Sequence, residues 1–290
     1  MNSHNDQSNS EQIADPKISD VLKLIWSTLK TFYNERPGQI IGSAFLLIMI
    51  WGYHGNLELL KLVIPDWSDP GVDIGKRVPI LSFAPWDREL ISFWGGAALL
   101  VFIPMLIIKF GFKQKLSDYG LGLPPKGKRA FAVTVFFTLT LLCLIPFYIG
   151  AKDPGMQGVY PFYKSFASIT EFIIYELTYL PFFIAIEFIF RGYILFGLAG
   201  VKDYEVKNSG GGAPGEFYFY KYAVLISMLS YTAWHLGKPL AELWGTPIWG
   251  LAAGICTLEV RSIWPATMSH WLLNVFLDAL ILYNLNLLFH

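Results

Sequence analysis

Charge is scarce in this sequence. Of its 290 residues only 15% are Asp, Glu, Lys or Arg, and 22 acids balance 22 Lys and Arg to a net charge of zero. Soluble domains average about 25% charged residues, so a water-facing surface over the whole chain is excluded. The even balance gives no electrostatic footing for nucleic acid, and no such partner is expected. Cysteine is nearly absent. Cys143 and Cys256 both lie in apolar runs, with neither metal-ligand spacing nor a disulfide framework. The HExxH signature is missing. No internal repeat is visible, which argues against a duplicated transporter.

Apolar residues, by contrast, make up 54% of the chain and aromatic residues 17%; mean hydropathy is +0.44. These values predict an all-α polytopic membrane protein. Long apolar segments lie at 39–62, 90–110, 130–150, 169–198, 219–236, 244–259 and 264–288. Most approach the roughly 20 residues a spanning helix needs, so about seven or eight transmembrane helices are expected. The fourth segment is long, with Pro181 as a candidate break. The fifth and sixth are short enough to be partly re-entrant.

Ahead of these segments, residues 1–16 are polar and read as a tail. Residues 17–36 mix Leu, Ile, Trp and Phe with Lys17, Lys23, Lys30 and Arg36, an amphipathic helix suited to the membrane surface. The organisation expected is 1–36 as tail plus interfacial helix, 37–112 as a transmembrane hairpin, and 113–290 as a helical membrane core. Basic residues gather in the N-terminal segment, at Lys113, Lys115, Lys126, Lys128 and Arg129, and at Lys202 and Lys207. That bias predicts a cytoplasmic N-terminus, in the plasma (inner) membrane if the source is bacterial. Residues 208–216 read as a flexible glycine-rich loop. The aromatic first loop, 65–90, is a candidate cover for a cavity.

Three polar pairs interrupt the last four apolar segments: Glu187 with Arg191, Tyr231 with His235, and His270 with Asn274. Each pair is spaced i, i+4 and shares one helix face. An ionisable group at bilayer centre costs about 2.5–3.5 kcal/mol even on lenient scales. Taken singly, each pair can brace helices: Glu187 and Arg191 by neutralising each other, the histidines and Asn274 by hydrogen bonds between helices. Three such faces within one stretch suggest a shared polar cavity. A carboxylate and a neutral imidazole can hold and deprotonate water. A second imidazole and an amide NH2 can donate to an oxyanion. Ser269 directly precedes His270, and adjacent helical residues point about 100° apart, which disfavours a dyad. Two histidines with a carboxylate also suit zinc, with His235 and His270 as the ligands, though no compact ligand cluster is present. No other cofactor is expected.

The ordered set resembles the CPBP family (also called Abi) of intramembrane proteases, which includes CAAX prenyl proteases and bacteriocin-processing enzymes. The family pattern runs EExxxR, FxxxH, HxxxN. The flanking stretches "FRGYILFGL" and "GLAAGICTLEVRSIWPATMSHWLLNV" are similar as well, and "LSDYGLGLPPKGKR" resembles the loop that often precedes the core. The resemblance spans about residues 115–285. It implies an all-helical membrane core and a glutamic-type peptidase, formerly classed as a metallopeptidase, that acts on a membrane-associated or lipidated protein or peptide among membrane lipids. It assigns the water to a glutamate and His235, and the oxyanion to His270 and Asn274. Tyr231 stands where the family has Phe and becomes a candidate substrate contact.

One departure bears on activity. Arg191 makes Glu187 the second glutamate of the pattern, and the first position is Ile186. Three outcomes follow. Glu187 takes the water, helped by a break near Pro181. Another carboxylate substitutes: Glu176, eleven residues earlier on the same face, or Asp278, Glu242 or Glu259, the last two read as interfacial. Or the chain is an inactive binder or chaperone on the same fold. A proton-coupled transporter is a further alternative.

Overall fold

The computed structural model describes residues 17–52, 85–200 and 214–288. The polar tail, most of the first loop, Lys202, Lys207 and residues 208–213 of the glycine-rich loop lie outside the described residues.

Every regular element among the described residues is helical. They are α1 (Ile18–Asn34), α2 (Arg36–Trp51), α3 (Asp87–Gly111), α4 (Lys126–Gly150), the short α5 (Pro154–Val159), α6 (Ile169–Ala199), α7 (Pro214–Trp234), α8 (Leu240–Val260) and α9 (Trp264–Asn284). Four of them, α3, α4, α6 and α9, are long and apolar enough to cross a membrane. The chain is an integral membrane protein.

Of the seven or eight spans expected, these four meet that length and apolarity among the described residues; the other helices are shorter or more polar. Helix α2 stops at Trp51 because Gly52 takes a positive φ of 79°. The apolar part of α7 runs only over Tyr222–Trp234. Helix α8 carries Glu242 and Glu259 near its two ends.

Helix α6 is the centre. Of its most apolar window 89% is buried, against 22% for α4. Helices α2, α3, α7, α8 and α9 pack against it, and α4 closes on α8 and α9. The outer face of α4 presents Phe131, Val133, Phe137, Leu141 and Ile145, a surface suited to lipid.

The start of α6 is written in its sequence. Ser168 Oγ accepts from the Glu171 N–H at 3.2 Å, and Glu171 Oε2 accepts from the Ala167 N–H at 2.8 Å, so orphan donors at the N-terminus are satisfied in the manner of a capping box. The break expected at Pro181 is absent. Proline removes one i→i−4 bond, yet α6 stays α-helical through Glu187. The backbone widens later, into a π-helical stretch over Phe188–Phe196. Such stretches are rare and gather at functional sites.

The loop before α4 straps the core. Ile263 N–H donates to Gly120 O at 3.0 Å, Ser262 Oγ to Gly122 O at 2.7 Å, and Trp264 Nε1 to Leu121 O at 3.1 Å. Gly120 has a φ of +78°, and a Cβ there would lie 2.5 Å from the Phe196 ring. The loop therefore ties the α8–α9 turn to the end of the π-helical stretch.

Candidate active site

Glu187 ends the α-helical part of α6 and is fully buried. Its Oε1 accepts from His270 Nδ1 at 2.8 Å and from Trp249 Nε1 at 3.2 Å. Its Oε2 lies 3.5 Å from Arg191 Nε. Helices α6, α8 and α9 thus meet on one carboxylate. Arg191 is also fully buried, with its guanidinium 3.8 Å over the Tyr231 ring. A buried cation needs both charge and polarisable surface around it, and the first two motifs supply these to each other.

Tyr231 lies on α7, and its ring sits 4.5 Å from that of His235 and 6.4 Å from that of His270. Both imidazoles flank it. Expected to touch substrate, Tyr231 is instead only 2% exposed; Arg191 and the two histidines surround it.

His235 falls just past the end of α7. Its Nδ1 is 2.7 Å from Tyr231 O. A carbonyl only accepts, so Nδ1 carries the proton and the neutral ring keeps its lone pair on Nε2. That Nε2 faces Glu242 Oε1 at 3.5 Å. The Tyr160 hydroxyl donates to the same Glu242 oxygen at 2.9 Å, and Lys238 Nζ donates to the Tyr160 hydroxyl at 2.9 Å. Burial, then the Glu242 carboxylate, hold the Tyr160 phenol well above its usual range, so it remains a donor at neutral pH. Burial lowers the Lys238 pKa, with Glu242 pulling the other way.

The third motif divides. His270 stands against Phe183, at a ring separation of 4.9 Å, and Trp249, at 5.1 Å, and its Nδ1 proton goes to Glu187. Asn274, expected beside it as an oxyanion donor, gives its amide to Asp278 Oδ2 at 3.0 Å. Asp278 in turn meets Glu176. Two of the four carboxylates named as substitutes, Glu176 and Asp278, thus lie close to each other, and neither oxygen of Glu176 has a hydrogen-bond partner among the described residues. Ile186 packs in the apolar core at 2% exposure. Ser269 is bonded to Thr140 at 3.0 Å and makes no dyad with His270.

The expected glutamate–histidine pairing is thus exchanged. Glu187 meets His270, and His235 meets Glu242. Glu242, named as a substitute carboxylate but read as interfacial, was not placed beside His235. The signal was the short "LGKP" after His235, too short to carry the chain away before α8 begins. On the zinc alternative, among the described residues no group of three His, Cys, Asp or Glu side chains is disposed to hold a metal ion.

No curated protein matches the chain. No solved structure matches it. Residues 169–276, which carry all three motifs, match the family model described as Type II CAAX prenyl endopeptidase Rce1-like, in keeping with what the motifs resemble.

Proposed function

We propose that the protein is an intramembrane endopeptidase that hydrolyses a peptide bond of a membrane-associated or lipidated protein or peptide by an activated water. The observation that carries this is the convergence of two imidazoles, one just past the end of α7 and one on α9, each oriented through Nδ1, beside the fully buried Glu187 and the partly buried Glu242. Oriented imidazoles next to carboxylates are the parts that proton transfer to and from water requires. His235, with its Nε2 lone pair free, takes the water. His270, with its Nδ1 on Glu187, serves the developing oxyanion only through an Nε2–H; Asn274 joins it only by leaving Asp278. We read the N-terminus as cytoplasmic, as the distribution of basic residues suggests.

The test is cleavage of a quenched lipidated-peptide library by purified protein in vesicles. Wild type should cleave, and His235→Ala and His270→Ala should not. Equal rates in all three would sink the reading.

A second reading has one observation in its favour. Ile186 lies in the core, and Glu187 is committed to Arg191 and His270. On that basis the fold would serve as an inactive membrane binder or chaperone. Ile186→Glu discriminates: activity that appears only in this variant makes the native chain a pseudoenzyme.

A further inference from the structure

If the chain hydrolyses peptides, a carboxylate must do what Ile186 cannot. Three facts about Glu242 bear on this. Its Oε1 lies 3.5 Å from His235 Nε2, and that nitrogen carries a lone pair because Nδ1 donates to Tyr231 O. Two acceptors so placed repel each other unless a donor lies between them. A water donating one O–H to each satisfies both. The other oxygen, Oε2, is buried and accepts no hydrogen bond among the described residues, although a buried polar atom ordinarily finds a partner. Meanwhile Tyr160 and Lys238 fix the carboxylate through Oε1, so its position is held by groups that are not themselves spent on the histidines.

We infer that Glu242, delivered from the first turn of α8, is the general base that activates the hydrolytic water with His235, replacing the glutamate that position 186 lacks. This rests on the hydrolytic reading above. The step balances without any added reactant. Glu242 takes a proton as the water oxygen bonds to the scissile carbonyl carbon, and His270 serves the resulting oxyanion through an Nε2–H. Glu242 then returns the proton to the leaving nitrogen as the C–N bond breaks, giving one carboxylic acid and one amine. Glu187 acts as a positioning residue that orients His270.

The test measures hydrolysis of quenched lipidated peptides in vesicles by wild type, His235→Ala, Glu242→Gln and Glu242→Ala, the last with and without added formate. The isosteric Gln variant keeps an oxygen for Tyr160 and so preserves the fold. General bases contribute about 10²–10⁴-fold, and a loss of that size is expected in Glu242→Gln. Formate, a small diffusible carboxylate, should restore part of the rate in Glu242→Ala, which a purely structural role would not permit. If His235→Ala is inactive while Glu242→Gln stays near the wild-type rate, the assignment of Glu242 is wrong and the hydrolytic reading survives. The assignment also falls if Glu242→Gln loses the rate and Glu242→Ala ignores formate. Wild type no faster than His235→Ala removes the hydrolytic reading itself, and this inference with it.

Discussion

Glu187 and Arg191 carry opposite charges with no solvent contact at either side chain. Removing one partner leaves the other charge buried and uncompensated, which costs about 3–5 kcal/mol. Glu187→Gln should therefore lower stability by about that amount in detergent, measured by chemical denaturation, and a loss near zero would show that Arg191 has other compensation. Tyr160 gives a pH signature at the same scale. Its folded pKa is raised by burial and then by Glu242, so in alkali the unfolded chain releases this proton first. The unfolded state then binds fewer protons, and stability falls as pH rises above about 10. The wild-type stability slope above that pH should be steeper than that of Tyr160→Phe; identical slopes would contradict the burial of this hydroxyl.

Elements, more than single residues, decide how these side chains meet. The π-helical stretch begins at Phe188, immediately after Glu187. Pro181 lies two turns earlier in unbroken α-helix. Pro181→Ala should leave peptide cleavage unchanged, and lost cleavage would place the functional irregularity at the proline instead. The strap at Gly120 is less tolerant. A side chain there meets Phe196 and must hold a positive φ. Gly120→Ala should cost about 1–3 kcal/mol by denaturation, whereas an unchanged midpoint would mean that the strap does not tension the core.

The same elements explain what the sequence could disclose. The i, i+4 spacings are properties of local sequence, and all three motifs were legible at once, although His235 falls one residue past the end of α7. The Asn274–Asp278 bond has that spacing too and could have been read in "NVFLD". The exchange of carboxylates was not legible, because contacts between helices depend on how α8 folds back after His235. Glu176 and Glu187 share a helix face by arithmetic, but their partners are chosen by α8 and α9.

At the scale of the molecule, α6 is sheathed by other helices while α4 and α1 present apolar side chains outward. On α1, Leu22, Ile25, Trp26 and Leu29 are all exposed. An amphipathic helix with such a face binds the headgroup boundary. Spin labels at Leu22, Ile25 and Leu29 in vesicle-bound protein should be more accessible to oxygen than labels at Lys23 and Lys30, and a uniform pattern would remove α1 from the interface. The central claim is that the buried polar centre hydrolyses peptides. Its most direct measurement is the ratio of cleavage rates, wild type to His235→Ala, on the best peptide of a lipidated library in vesicles. A ratio of about 10² or more is predicted; a ratio of one would contradict it.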